Sequence, residues 1–254
     1  MKHFRTILSH EVRMLLVSPS TYIAAVLFLV VMGVVFTGIL ESYSQAPQDA
    51  SPAIAFFQFF WFPVLFMVPL LTMKCLAEER RLGTIETLFT APVTTAEVVL
   101  GKFGAAYGLY MALWGLTGGF FYILRKFSND PHLIDFGPML GGYLFIAVSG
   151  MLFIGVGVFA SSLARNQAVA GILCFAMLFV LIIVGGYYLP DAAWLNRDAF
   201  HPVKTAVDYA QVFQHYEDFT RGVVDSRQLI FYISGTVLTL IFSILSVEAK
   251  LLHS

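Results

Sequence analysis

The sequence contains little charge for its length. Only 12% of its 254 residues are Asp, Glu, Lys or Arg, whereas 58% are hydrophobic. A soluble domain averages about 25% charged and about 45–50% apolar residues, so this chain cannot cover a water-exposed surface. The formal net charge of -1 excludes a broadly basic surface for nucleic acid. The composition therefore predicts a membrane protein with several spans.

Motifs of enzymes and metal sites are also missing. Cys75 and Cys174 both lie in apolar stretches, which indicates packing residues and excludes a disulfide framework or a CxxC metal site. No GxxxxGK[ST] phosphate-binding loop is present, because Gly101-Lys102-Phe103 lacks both the hydroxyl residue and the upstream glycine. The sequence contains no HExxH motif and no aspartate deep in an apolar segment. We expect no catalytic residue, metal site or bound cofactor in this chain.

Six segments are long and apolar enough to cross a membrane, which takes about 20 residues. They cover residues 20–40, 55–76, 98–124, 138–161, 168–189 and 228–249. Lys74, Lys102 and Glu248 lie near segment ends, where long side chains can reach the membrane interface. Pro63 and Pro69 predict a kink in the second span. Residues 1–254 are thus predicted to form one all-α transmembrane domain with both termini on the same side.

The distribution of Lys and Arg predicts which side that is. With cytoplasmic termini, nine basic residues lie inside and six outside, although the outer segments contain more residues. A cleaved signal peptide is the alternative interpretation of the first span. Its apolar run exceeds the typical length of about 7–15 residues, however, and the acidic Glu11 lies upstream. We therefore expect an uncleaved first span and cytoplasmic termini.

Residues 4–16 have the pattern of an amphipathic helix. Its apolar face would contain Phe4, Ile7, Leu8, Val12, Leu15 and Leu16. Basic residues flank this face, which is typical of a helix that lies in the membrane interface. Ser18-Pro19 would end it before the first span. The alternative is a cytoplasmic extension of that span.

The loop between the second and third spans carries the strongest functional signal. Ile85, Leu88 and Phe89 recur at i, i+3 and i+4, so a short helix would expose an apolar ridge that ends before Pro92. Such a ridge on a cytoplasmic helix needs a partner surface. The alternative is a lid that folds back onto the bundle.

Other local patterns predict how the helices begin and pack. Thr94 and Glu97 form a capping box directly before the third span. Pairs of glycines four residues apart can allow close helix approach. These pairs are Gly104/Gly108, Gly115/Gly119 and Gly137/Gly141.

The long loop 190–227 is too polar to span the membrane. His201-Pro202 can begin a helix there, and a partly amphipathic pattern follows. This loop is predicted to lie on the outer membrane surface or to cap the bundle.

Three motifs resemble those of ABC-2 type transporter permeases, in particular the gliding-motility-associated branch. The first is EERRLGTIETLFTAPVTTAEVVLGK at residues 78–102, the second is HYEDFTRGVVD at 215–225, and the third is SSLARNQ at 161–167. They occur at matching places in the topology, and the resemblance covers nearly the whole chain.

The resemblance implies a division of labour between subunits. A cytoplasmic ABC ATPase would bind ATP and Mg²⁺, and a second copy or a related permease would complete a dimer in the bacterial inner membrane. The implied ATPase-coupling residues are Glu78, Glu79, Arg80, Gly83, Thr84, Ile85, Glu86, Leu88, Phe89 and Pro92. The N-terminal helix would add a second ATPase contact, and the outer loop would form a gate or cap.

The expected function is the permease subunit of an exporter that an ATPase drives. One alternative is a membrane anchor or scaffold of a motility or envelope assembly complex without true transport, and another is an ATP-independent channel or carrier. The spans offer no buried charge for an ionic cargo, which favours lipid-like, apolar or polymeric substrates.

Overall fold

The protein is described by a computed structural model that covers residues 4–45, 51–83, 93–127, 135–190, 204 and 207–251. Within these ranges the regular structure is helical, with no β-strand. The helices are α1 (Phe4–Val17), α2 (Pro19–Gln45), α3 (Pro52–Gln58), α4 (Trp61–Thr72), α5 (Ala77–Arg81), α6 (Thr95–Leu116), α7 (Gly118–Phe127), α8 (Phe136–Leu163), α9 (Gln167–Phe179), the π-helix Val180–Tyr188, α10 (Val212–Thr220) and α11 (Ser226–Leu251).

Five segments of the described chain are long and apolar enough to cross a membrane. They are Pro19–Gln45, Thr95–Phe127, Phe136–Leu163, Gln167–Tyr188 and Ser226–Lys250. The pair α3 and α4, bent by 48°, forms a sixth if it is counted as one span. These segments coincide with the six predicted ones, so the predicted fold class, an all-α polytopic membrane protein, is confirmed.

The bend between α3 and α4 has a local cause. It lies at Phe59 and Phe60, just before Pro63. A helical residue at position 63 would donate its N–H to the carbonyl of Phe59, but proline has no N–H and its ring crowds that carbonyl. The N–H of Phe62 donates to the Phe59 carbonyl instead, at 3.2 Å. The predicted kink is therefore confirmed, whereas Pro69 lies inside α4.

The N-terminal helix is separate from the first span, since α1 ends at Val17 and α2 begins at Pro19. It packs against the beginning of α6, where two glycines allow a close approach. A Cβ atom at Gly101 would lie 2.7 Å from Cγ2 of Ile7, and one at Gly104 would lie 3.1 Å from Cδ1 of Leu8. The helix break predicted at Ser18-Pro19 is confirmed, and part of the apolar face of α1 contacts protein.

Helix α8 is the central element of the bundle. Its apolar stretch is 78% buried, compared with 22% to 28% for the other four unbroken spans. Gly142, Gly150 and Gly157 allow neighbouring helices to approach it, because a Cβ atom at these positions would collide with Phe57, Tyr110 and Thr72, respectively.

The predicted glycine pairs only partly correspond to close contacts. Gly104 faces Leu8, and a Cβ atom at Gly141 would collide with the backbone of Phe219. Gly108, Gly115 and Gly119 would have nothing within 4 Å of an added Cβ atom. Within the described part of this chain these three glycines thus make no close helix contact, because glycine spacing does not report which helix face has a neighbour.

We call the two ends of the bundle the termini end and the distal end. The termini end contains α1, α5 and the last turns of α8 and α11, where Lys250 Nζ donates to the carbonyl of Ser162 at 3.1 Å. The distal end contains the α3–α4 bend, the π-helix and α10. Each end thus gathers residues that are far apart in the sequence.

Helix α10 covers the distal end through its buried face. The Tyr216 hydroxyl donates to the Ile54 carbonyl. His215 Nδ1 lies 3.1 Å from the Tyr232 hydroxyl, and the Gln228 amide donates to Asp218 at 2.6 Å. Of the two predicted arrangements for this loop, its described part caps the bundle, whereas the helix start predicted at 201–202 lies outside the described residues.

Gly142→Ala should destabilise the bundle by about 1–3 kcal/mol, because the new methyl group would overpack the fully buried ring of Phe57. Gly108→Ala is the matched control and should be neutral or stabilising by up to about 1 kcal/mol, since alanine favours the helix and the space there is open. Thermal unfolding in detergent measures both. Equal midpoints for the two variants would contradict the packing described for α8.

Acidification should weaken the distal cap. Burial lowers the pKa of His215, and Asp218 and Asp225 oppose this only in part. The unfolded chain, with an ordinary histidine pKa of about 6.5, therefore binds a proton more readily than the folded chain. Stability should fall as the pH drops below about 6.5, and His215→Gln should flatten this dependence. Melting temperatures across pH 5–8 test this, and parallel curves for the two proteins would refute it.

Candidate functional site

The segment predicted to dock an ATPase is described only as far as Gly83. Glu78, Glu79 and Arg80 lie in α5, which follows the second span after the turn at 73–76. The other predicted coupling residues lie outside the described residues: Thr84, Ile85, Glu86, Leu88, Phe89 and Pro92. The apolar ridge and its end before Pro92 therefore stay predictions, and the site can be built from α5 and its surroundings.

A serine from the central helix holds the beginning of α5. The backbone N–H groups of Leu76 and Ala77 donate to the buried Ser161 Oγ at 3.0 and 3.1 Å. The first N–H groups of a helix lack partners within the helix, so a hydroxyl from elsewhere can satisfy them. Ser161 belongs to the SSLARNQ motif, which indicated the position but not its partner.

Two cationic side chains, from α5 and α11, donate hydrogen bonds to the carbonyl groups at the C-terminal end of α8. Arg80 Nη1 donates to the carbonyl of Ala164 at 3.2 Å, and Lys250 Nζ donates to the carbonyl of Leu163 at 3.1 Å. Positive charge is favourable at the C-terminal end of a helix, where carbonyl groups lack partners. Burial lowers the pKa of Arg80. Arg80 therefore ties α5 to the end of α8.

Lys102 lies at the centre of a buried ion cluster. Its Nζ atom is 2.7 Å from Oε1 of Glu79 and 2.8 Å from Oε1 of Glu11. Only 4% of the Lys102 side chain is exposed, because it lies between α1 and α5. Burial raises the pKa of Glu79 despite the opposing effect of Lys102. This acidic-basic cluster joins α1, α5 and α6.

The other charges near α5 are more accessible. Glu78 and Arg81 form an ion pair of 3.3 Å, in which the Arg81 side chain is 54% exposed. A cavity of about 360 Å³ lies between α1 and α5, and Lys74 on its wall donates to Ser18 at 2.9 Å. Glu79 and Arg80 therefore bind partners within the protein, whereas Arg81 is open to solvent.

Gly83 ends α5 in a conformation that suits glycine. Its φ angle is +68°, in the left-handed region, and its N–H donates to the Arg80 carbonyl at 3.1 Å. A glycine of this kind commonly terminates a helix because it has no Cβ to strain. Gly83 therefore turns the chain away from α5 at the point where the predicted ridge begins.

The capping box predicted at the other side of this loop is present. Thr94 Oγ1 accepts from the N–H of Glu97 at 3.2 Å, and the Glu97 carboxylate accepts from the N–H of Thr94 at 3.3 Å. Cys75 and Cys174 are both buried and unbridged, as predicted. In the part of the chain that the structure describes, no group of three or more His, Cys, Asp or Glu side chains could hold a metal ion.

Lys102→Met should destabilise the protein by about 3–5 kcal/mol, because it leaves two carboxylates facing each other with no cation between them. Adding Glu11→Gln and Glu79→Gln should recover much of the loss. Arg81→Gln, which breaks an exposed pair, is the control and should cost less than about 1 kcal/mol. Thermal unfolding compares the four proteins, and equal effects of Lys102→Met and Arg81→Gln would contradict the cluster.

The chain is similar to known transporter permeases. Over 161 residues the chain is 27% identical to a probable multidrug ABC transporter permease, YbhR, of Escherichia coli K12, and it matches the protein of the same name from E. coli O157:H7 equally well. The matched region is 61% of this chain and 39% of the relative, so the chain spans about two fifths of the length of these curated relatives.

A family match covers far more of the chain than these relatives do. Residues 5–248 match the family described as ABC-2 family transporter protein, and this range covers α1 from residue 5, α10 and every span, the last one as far as residue 248. The chain therefore belongs to the ABC-2 family of transporter proteins.

Proposed function

We propose that this chain is the permease subunit of an ABC exporter, in the branch associated with gliding motility. It couples ATP hydrolysis by a separate cytoplasmic ATPase to the movement of substrate across the bacterial cytoplasmic membrane. The observation that carries this proposal is the Lys102 cluster, which connects the predicted docking segment to two other helices.

Docking takes place at the loop that follows α5. In the predicted helix, Ile85, Leu88 and Phe89 insert into a cleft on the ATPase, while Glu78 and Arg81 supply polar contacts beside it. The exposed fraction of Arg81 and the turn at Gly83 support this role. The ATPase binds ATP and Mg²⁺, and this chain supplies no catalytic group.

Movement of the docked segment spreads through α5. The ion pairs of Lys102 with Glu79 and Glu11 connect α5 to α6 and α1. The hydrogen bonds of Arg80 and of the Leu76 and Ala77 N–H groups connect α5 to α8. ATP binding changes the permease only by favouring one of its two conformations, through contacts that differ between them. The ion pairs and hydrogen bonds of α5 transmit the resulting change to α1, α6 and α8.

The permease works as a dimer with a second copy or a related permease. Substrate moves between the two halves, and α10 gates the path at the distal end, which faces outside. Both termini lie in the cytoplasm, as the Lys and Arg distribution predicts. The relatives carry the name of a probable multidrug permease, which favours small molecules over polymers as cargo.

Affinity purification of the detergent-solubilised chain from its native host, followed by mass spectrometry, tests the partnership. A P-loop ATPase should co-purify. A preparation without an ATPase favours a channel. An ATPase that co-purifies but drives no substrate movement in proteoliposomes favours the alternative role, a membrane anchor or scaffold of a motility or envelope assembly complex.

Leu88→Asp should abolish co-purification of the ATPase and uncouple ATP hydrolysis from transport, because a carboxylate in the ridge cannot enter an apolar cleft. Thr87→Asp is the control, since position 87 lies on the opposite face of the predicted helix. Both variants should elute from size-exclusion chromatography as the folded protein does. Normal transport by Leu88→Asp would refute the coupling assignment.

A further inference from the structure

A cavity of about 590 Å³ opens at the distal end, between the α3–α4 bend, the π-helix and α10. Its described lining includes six aromatic side chains: Phe59, Trp61, Tyr187, Tyr188, Phe213 and Tyr216. Pockets for small molecules typically enclose about 300–1,000 Å³ and are lined mainly by apolar and aromatic groups with few polar ones. The cavity therefore has the size and the lining of a small-molecule site.

Two interruptions of regular helix create this space. The bend before Pro63 leaves Phe59 43% exposed at the cavity. On the other side the backbone follows the π pattern, and the N–H of Leu189 donates to the Val184 carbonyl at 2.9 Å. Single π-helical turns are rare and occur frequently at functional sites.

Tyr187, Tyr188 and Phe213 line the cavity with rings at different orientations, and we call these three side chains the aromatic wall. The ring centroids of Tyr187 and Tyr188 lie 5.2 Å apart at 85°, and those of Tyr187 and Phe213 lie 6.3 Å apart at 76°. Gly186 makes room for Phe213, since a Cβ atom there would lie 3.3 Å from the Phe213 ring. Tyr187 and Tyr188 are each 63% exposed, so their faces are accessible to a ligand.

Glu217 supplies the only charge among the described lining residues. Its carboxylate lies 3.4 Å from Arg221, and the two side chains are 56% and 71% exposed. Exposed pairs of this kind contribute about 0–1 kcal/mol. A ligand cation can therefore compete with Arg221 for Glu217.

Aromatic faces attract cations, and the attraction grows as water is excluded. The Glu217 carboxylate beside these rings strengthens the preference of the cavity for a cation.

We propose that this aromatic cavity binds a lipophilic organic cation. The charged centre lies near Glu217, and its hydrophobic groups pack on Tyr187, Tyr188 and Phe213. The binding site itself needs no ATPase, and only the view that the bound cation is cargo rests on the proposed function.

Tetraphenylphosphonium binding to the purified full-length chain in detergent, measured by isothermal titration calorimetry, tests the site. Saturable binding is expected, with affinity at least about tenfold higher than that for neutral triphenylphosphine oxide. The anion tetraphenylborate should not compete. Absence of saturable cation binding, or equal affinity for the neutral compound, would overturn the proposal.

Substitutions at the ion pair should act in opposite directions. Glu217→Gln should weaken tetraphenylphosphonium binding about tenfold, because it removes the charge and keeps the size. Arg221→Gln should strengthen binding a few-fold, since it removes the competing cation. Asp208→Asn, a carboxylate change outside the cavity, should have no effect. Weaker binding by both Glu217→Gln and Arg221→Gln would indicate a purely structural pair and overturn the proposal.

The aromatic wall has its own matched pair of variants. Tyr187→Leu should weaken binding several-fold, whereas Tyr122→Leu, at a tyrosine of similar exposure elsewhere, should not. Equal affinities for the two variants would overturn the role of the wall. Failure of cation binding would leave the ATPase partnership intact, and failure of ATPase co-purification would leave the cavity proposal intact.

Discussion

The ion cluster at Lys102 is the interaction on which the termini end depends. An ammonium group that is 4% exposed would be costly to bury alone, and two carboxylates near it would repel one another without it. Together they join α1, α5 and α6, which contribute Glu11, Glu79 and Lys102. Because Lys102 pairs with both carboxylates, its two ion pairs connect the three helices to one another. These connections support the coupling role that we propose for α5.

The central helix, α8, contacts α5 at the termini end and α10 at the distal end. Helix α8 spans 28 residues, and its Ser161 holds α5 while the backbone around Phe219 in α10 packs against Gly141. Gly141 and Ser161 are 20 residues apart in this helix, which corresponds to about 30 Å along its axis. In a membrane, helices associate through close packing and hydrogen bonds because lipid offers no hydrophobic drive between them. The glycines of α8 meet this requirement by bringing neighbouring backbones and rings close.

The distal end combines a firmly held cap with an open cavity. Tyr216 and His215 fasten α10 to Ile54 and Tyr232, whereas the neighbouring face of α10 carries Glu217 and Phe213 toward the aromatic cavity. The same short helix thus has one side that is hydrogen-bonded to the bundle and one side that lines the cavity. Helix α10 therefore contributes both to the lining of the cavity and to the packing at Gly141.

The sequence by itself determined the spans, the break before Pro19, the kink before Pro63 and the capping box at Thr94. These features are local, because a membrane helix satisfies its own backbone and proline disrupts only the turn before it. The sequence did not indicate that Lys102 pairs with Glu11, 91 residues away, or that Ser161 binds the N–H of Leu76, 85 residues away. Nor did glycine spacing reveal that Gly108 faces open space while Gly142 faces Phe57. Only the tertiary structure decides such pairings, because which helix faces meet depends on the packing of all the spans together.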